Sequence, residues 1–232
     1  MISALFFDVF GTLVDWRASI AREAKAILTP LGHELDFAAF ADAWRAEYQP
    51  SMEEVRSGRR AYALLDILHR ENLDRILPRF GLEGISPETR AQLNRIWHRL
   101  DAWPDVLQAM RRLHARFRVA PVSNGNISIM VDLARHNGFS WDTVLGAEIA
   151  RTYKPNPEAY LASARALDLA PSACMMVAAH SSDLVAAAAC GLKTAHLARP
   201  NEYGSGTGET KPLCAVDLAA SDLGALADML NA

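Results

Sequence analysis

Four groups of chemistry-bearing residues fall at separate points along the 232-residue chain: Asp8, the pair Ser123-Asn124, Lys154, and His180 with Asp183. Each follows a short apolar run that reads as a buried strand. The runs are Ala4–Phe7 before Asp8, Phe117–Val122 before Ser123, Thr143–Leu145 ahead of Lys154, and Cys174–Ala178 before His180. In a doubly wound sheet, ligands bind outside the carboxyl ends of the strands. Carboxylates, an amine, an imidazole and a hydroxyl–amide pair would meet there. One carboxylate in such a place reads equally well as a helix cap or a turn former. Four polar groups at successive strand ends read as a site.

The elements that must carry these residues alternate in the second half of the chain. Helical patterns cover Ile127–Asn137, Pro157–Leu167 and Asp183–Cys190, with Gly138 and Gly191 just past two of their ends, and another strand follows at Lys193–Leu197. Strands alternating with helices of this length imply βαβ units and a parallel sheet. The stretch from about Trp16 to Leu100 differs. Phe37, Phe40, Ala41, Trp44 and Tyr48 recur at helical spacing, as do Tyr62, Leu65, Leu68 and Leu73. Ser86-Pro87 supplies an N-cap and a first-turn proline for a helix running to about Leu100, and Trp103-Pro104 opens another. This block reads as an all-helical insert after the first strand. The Gly-rich segment Asn201–Lys211 lacks the strand-before, helix-after context of a phosphate loop and reads as a flexible surface loop.

Composition narrows the function classes. Lys and Arg number 24 against 27 Asp and Glu, a net charge of −3, and half the residues are hydrophobic. That balance removes the counterion-release drive for nucleic-acid binding and the attraction to anionic lipid. The apolar runs Cys174–Ala179 and Leu184–Cys190 are far short of the ~20 residues needed to cross a bilayer. Neither a secretory leader nor a CxxC pair is visible, and the cysteines are Cys174, Cys190 and Cys214. A cytoplasmic protein without disulfides or zinc is expected. His33, His69, His98, His114 and His136 share no ligand spacing and read as structural. The five tryptophans read as packing, with Trp16 a candidate for lining a cleft.

The segments Asp8-Val9-Phe10-Gly11-Thr12-Leu13-Val14-Asp15, Ser123-Asn124-Gly125, Lys154-Pro155 and Asp183 resemble, in order, the four motifs of the haloacid dehalogenase superfamily. The resemblance runs nearly end to end. It implies an α/β fold: a Rossmann-like parallel sheet core, residues 1–15 and 101–232, with a helical cap inserted at residues 16–100.

Most of that superfamily are phosphatases, so departures from the phosphatase pattern carry the functional expectation. The phosphatase motif resembles D-x-D, whose second Asp protonates a leaving alkoxide, and such an acid is worth ~10²–10⁴-fold. Phe10 stands there and donates nothing, whereas a halide leaves as a stable anion. The magnesium-binding acid four residues before the Asp183 position is replaced by Ala179, which leaves few of the oxygen ligands magnesium needs. Trp44-Arg45-Ala46-Glu47-Tyr48 resembles the helix of type II 2-haloacid dehalogenases that presents an arginine to the departing halide, which gives Arg45 that role.

The resemblance therefore implies a cofactor-free, metal-free hydrolase. Asp8 attacks C2 of a small 2-haloacid, displaces halide with inversion and forms an ester that water then hydrolyses. Lys154 keeps Asp8 ionised. Val9, Phe10, Thr12, Arg45, Ser123, Asn124 and Tyr160 surround the substrate. The family often resembles Ser-x-Asn-x-x-Asp in its fourth motif, where this chain has Ala178, His180 and Asp183. His180 is then expected to be the base for the second step, oriented by Asp183. L-substrates and a homodimer follow from the resemblance. The competing readings are a magnesium-dependent phosphatase or phosphotransferase of the same superfamily, and a non-enzymatic binding protein on its scaffold.

Overall fold

A computed structural model describes residues 1–232. Six parallel strands, β1 (Ala4–Phe7), β2 (Arg118–Ser123), β3 (Leu145–Gly146), β4 (Cys174–Ala178), β5 (Lys193–Leu197) and β6 (Leu218–Ala220), form one sheet in the order β3-β2-β1-β4-β5-β6. β1 lies between β2 and β4, with Phe7 opposite Pro121 on one side and Val177 on the other. The order reverses about β1, so the crevice beyond its carboxyl end is the topological switch point where such sheets bind ligands.

Alternate residues of each strand enter different halves of the core, as the period of two requires. Leu5, Phe7, Val119, Met175 and Val177 join one apolar cluster, while Ala4, Phe6, Ala120, Cys174 and Met176 join the other. The second cluster is closed by helices α9 (Pro157–Ala166) and α10 (Ser181–Ala189), through Tyr160, Ala164, Leu184 and Ala187. The first is closed by α6 (Val106–His114), α7 (Ile127–Asn137) and α11 (Leu223–Met229). Helix α8 (Ala147–Ala150) is a single turn after β3.

No strand lies between Trp16 and Leu100. That stretch holds α1 (Trp16–Leu28), α2 (Phe37–Ala46), α3 (Tyr48–Arg56), α4 (Leu65–Ile76) and α5 (Pro87–Asn94). Asp15 caps α1 and Asp36 caps α2, each accepting from the first turn of its helix. The chain enters and leaves this layer through paired segments. Val14 bridges Ala102 antiparallel, Asp15 N donates to Asp101 O at 2.9 Å, and Trp103 N donates to Leu13 O at 3.0 Å. Trp44, Tyr48, Leu65, Leu68 and Trp97 share the larger apolar cluster with Leu5 and Phe7, so the helical layer and the sheet are packed as one body.

Several details differ from the sequence reading. The helix from Ser86 ends at Asn94 and passes into a 3-10 turn at Arg95–His98 instead of running to Leu100. β3 is only two residues, Leu145–Gly146, pairing with Val122 and Ser123. β6 and α11 were not anticipated. β6 is a three-residue edge strand of Leu and Ala, too short and too poor in β-branched residues to show a period. α11 did carry a signal, since the Asp222 side chain accepts from Ala225 N. No helix is long and apolar enough to cross a membrane.

Candidate active site

Asp8 stands one residue beyond β1, and its N–H donates to Val177 O of β4 at 3.0 Å, which fixes its side chain in the switch-point crevice. Its two oxygens are shared out. Lys154 Nζ donates to Oδ1 at 3.0 Å. Oδ2 accepts from Thr12 Oγ1 at 2.8 Å and lies 3.0 Å from His180 Nδ1. Thr12 is itself held, because Oγ1 accepts from Ala179 N at 2.9 Å. Lys154 also donates to Asp183 Oδ2 at 2.5 Å, and the Tyr160 hydroxyl donates to Asp183 Oδ1 at 2.5 Å. Asn124 Oδ1 accepts from Lys154 N at 2.8 Å, which ties the second motif to the third.

The electrostatics follow from burial and pairing. Burial by itself raises the Asp8 carboxyl, but the Lys154 ammonium and the His180 ring outweigh it and hold Asp8 far below the usual carboxylate range. Burial would lower Lys154, yet Asp183 and Asp8 hold it above its ordinary value. Asp183 is pushed upward by burial against the pull of the same ammonium. Burial also works to lower His180, but its hydrogen bonds to Asp8 and Glu202 push it up to about 10. An ionised, oriented carboxylate and an imidazolium thus lie side by side.

These groups line a cavity of about 500 Å³ between sheet and helical layer. Asp8, Phe10, Asn124, Lys154, Tyr160, His180 and Asp183 form its sheet side, and Arg45 and Tyr48 face them from α2 and α3. The Arg45 guanidinium lies 3.9 Å from the Tyr48 ring centroid and 5.3 Å from that of Trp16. Its Nη1 is buried without a hydrogen-bond partner. A buried, unpaired guanidinium nitrogen is costly in isolation and is satisfied by an anion.

Three side chains read as substrate contacts are not on the cavity wall. Val9, Thr12 and Ser123 are fully buried. Thr12 serves Asp8, and Ser123 Oγ accepts from Gly125 N at 3.1 Å, shaping the turn that carries Asn124. The expected pairing of His180 with Asp183 is corrected as well. Asp183 is engaged by Lys154 and Tyr160, and His180 Nε2 instead lies 2.9 Å from both oxygens of Glu202.

Glu202 belongs to the segment read as a flexible surface loop, and that reading is overturned. Its side chain is only 1% exposed and also accepts from Trp16 Nε1 at 3.1 Å. Gly11 has φ +86°, and a Cβ there would lie 2.0 Å from Glu202 Oε1, so the glycine of the first motif makes room for this carboxylate. Gly208 lets the loop fold back, because a Cβ would lie 1.8 Å from Arg199 O. From the same loop, Glu209 accepts from Ser181 N at the start of α10, and Tyr203 lines the cavity. The two acids, Glu202 and Glu209, flank the three glycines, and nothing in their local pattern separates them from the acids of a solvated loop.

The family model for haloacid dehalogenase-like hydrolases matches residues 2–191. The chain belongs to that family. Among curated members of the family, (S)-2-haloacid dehalogenase 1 of Pseudomonas sp. (strain CBS-3) is 29% identical over 211 residues, covering 87% of this chain and 88% of the relative. Two solved members superpose over the whole chain. The defluorinating L-2-haloacid dehalogenase Rha0230 is 43% identical with a TM-score of 0.97, and 96% of it is covered. The L-2-haloacid dehalogenase PA0810 is 44% identical with a TM-score of 0.95, and 99% of it is covered. As a haloacid dehalogenase-like hydrolase, the chain places its four motifs around one cavity, with the Glu202 loop completing the wall.

Proposed function

We propose that this hydrolase converts small 2-haloalkanoic acids to 2-hydroxy acids through an ester on Asp8. The observation that carries the reading is a buried, ionised Asp8 facing the unpaired Arg45 guanidinium across one small cavity. The dehalogenase activity named for the relatives at 43% and 44% identity supports it. In the first step an Asp8 oxygen attacks C2, the C2–halogen bond breaks, and the halide leaves with the electron pair toward Arg45, inverting the carbon. The Asn124 amide and nearby backbone N–H groups receive the substrate carboxylate. Residues 16–100 act as the cap that keeps bulk water out until the ester has formed.

The second step exploits a change of charge. Esterification removes the negative charge of Asp8, one of the two carboxylates that keep His180 protonated. His180 then releases its Nδ1 proton to solvent while Glu202 holds Nε2–H, and the freed Nδ1 takes a proton from the water that attacks Asp8 Cγ. The Cγ–O(alkyl) bond breaks as His180 Nδ1–H protonates the departing alkoxide, the hydroxy acid leaves, and the new Asp8 carboxyl returns its proton to His180. The net reaction releases one halide and one proton per water consumed.

The donor set does not fit a magnesium ion. An ammonium of the chain itself stands between the carboxylates of Asp8 and Asp183, and Phe10 and Ala179 offer no side-chain oxygen. A cytoplasmic homodimer acting on L-substrates completes the proposal by resemblance. The test is halide release from the two enantiomers of 2-chloropropanoate and from chloro- and fluoroacetate, with and without EDTA. Release that survives chelation is expected. Activity that disappears and returns with Mg²⁺ rejects the reading in favour of a phosphatase-like site.

A further inference from the structure

Asn126 precedes α7 in the position of a helix N-cap, yet its side-chain oxygen accepts from no backbone N–H of its own helix. The free N–H of Ile127 is satisfied instead by Glu148 Oε2 at 2.7 Å. The Asn126 amide is turned toward the helical layer, although the residue is 1% exposed. Its Oδ1 accepts from Asp66 N at 3.2 Å, and its Nδ2 donates to Asp66 Oδ2 at 3.0 Å and to Ser128 Oγ at 2.7 Å. An N-cap asparagine ordinarily stabilises its own helix by accepting from an N–H of the first turn. Here that capacity is spent on a two-point clasp between the start of α4 and the turn that carries Ser123 and Asn124.

The far side of the clasp is braced. His98 Nε2 lies 3.0 Å from Asp66 Oδ1, and His98 Nδ1 lies 2.7 Å from Asp132 Oδ2 on α7. Asn94 of α5 donates to Asp66 O at 3.1 Å. The charged and titratable groups around His98 are Asp66 and His69 from α4 and Asp132 from α7. Burial would lower the His98 ring, but hydrogen bonds to Asp66 and then Asp132 hold it above its ordinary 6.5. A protonated ring donates to both carboxylates; a neutral one donates to a single carboxylate and leaves the other facing a lone pair.

We propose that Asp66 and His98 are positioning residues for the reaction. They lock the Ser123–Asn126 turn to the helical layer and so hold Asn124 Oδ1 on the backbone of Lys154. The route is continuous: Asp132, His98, Asp66, Asn126, the turn, Asn124, Lys154. It touches neither substrate nor Asp8, and it rests on the reading that Lys154 serves Asp8 in haloacid hydrolysis.

The test pairs hydrogen exchange by mass spectrometry with halide-release kinetics, on wild type, His98→Leu and Asp132→Asn. His136→Leu, which removes a comparable histidine–carboxylate pair with Asp101, is the control. In His98→Leu the amides of segments 123–128 and 152–156 are expected to exchange about tenfold faster while those of β4 are unchanged. A fall of about tenfold in kcat/KM should accompany this, because small misplacement of catalytic groups is costly. Asp132→Asn, at a half-exposed position, should give the same pattern about threefold. Wild-type protection of these segments should weaken as pH rises through the raised His98 value, and His98→Leu should lose that dependence. Unchanged exchange in the two segments, or acceleration spread equally over β4, overturns the proposal. If wild type releases no halide from any haloacid, the functional reading falls, and the exchange data still decide the clasp.

Discussion

Two histidines in this enzyme are each held between two carboxylates, one at the cavity and one at the seam between sheet and helical layer. His180 lies between Asp8 and Glu202, and His98 lies between Asp66 and Asp132. The local geometry is nearly the same, with nitrogen–oxygen separations of 2.9–3.0 Å in the first pair of bonds and 2.7–3.0 Å in the second. The surroundings differ. Glu202 is 1% exposed, and Asp8 faces the cavity, where it can become an ester. Neither Asp66 nor Asp132 lines that cavity, and the side chain of Asp132 is half exposed. Chemistry at Asp8 can therefore change the charge felt by His180, whereas only bulk pH can change His98. One arrangement serves turnover and the other serves posture.

The largest effect is expected where the comparison begins, at Asp8. Asp8→Ala should reduce halide release by on the order of 10⁴-fold or more, as removing a nucleophile generally does. A single wild-type turnover in ¹⁸O-water should leave the hydroxy acid unlabelled and place the label on Asp8. Label appearing first in the product would mean that water attacks C2 directly, and His180 would then have no ester to hydrolyse.

Next comes His180. Displacement of halide needs no base, while ester hydrolysis does, so His180→Ala should separate the two steps. About one equivalent of halide should appear as a burst, followed by turnover slowed ~10²–10⁴-fold and an enzyme heavier by the acyl group. His180→Asn should recover part of the rate. Absence of both burst and adduct would move His180 from base to pocket wall.

A smaller change is expected on removing only its outer partner. Glu202→Gln leaves Asp8 beside His180 but withdraws one of the two carboxylates that push it up to about 10. The imidazolium, which attracts an anionic substrate, should then be lost at lower pH. The alkaline limb of kcat/KM, near pH 10 in wild type, should move downward, with about a tenfold loss of rate at neutral pH. An unmoved limb would show that Glu202 only packs against Trp16.

The two halves of the site were unequally legible in the sequence. Asp8, Asn124 and His180 announce themselves because each follows closely on an apolar run. Asp183 comes three residues after His180, and Lys154 stands in the Tyr-Lys-Pro segment beyond the third run. A parallel sheet brings strand ends together whatever the loops do. Arg45 was legible through its helical context, and its unpaired nitrogen needed coordinates. Glu202 was not legible. It lies 22 residues beyond His180 in a glycine-rich loop with no period, and its partners Trp16 and His180 come from distant parts of the chain. The Asp66–Asn126 clasp was hidden for a related reason. The residues are 60 apart, and an asparagine before a helix ordinarily predicts a local cap.

The least effect is expected at His98, and the pH window of that effect tells the two histidines apart. A group whose pKa is raised on folding contributes stability in full below its unfolded value, near 6.5, and loses it as pH rises through the folded value. For His180 that window extends to about pH 10. For His98 the shift is in the same direction, and its contribution fades over the interval above 6.5 where its own ring loses the proton. His98→Leu should therefore lower Tm by about 2–4 °C at pH 6, the equivalent of roughly 1 kcal/mol in a chain of this size. The gap to wild type should narrow as the pH is raised. The corresponding gap for His180→Asn should persist until about pH 10. A His98→Leu gap that is constant with pH would mean that the ring is never charged between its two carboxylates, and that the clasp is held by hydrogen bonds alone.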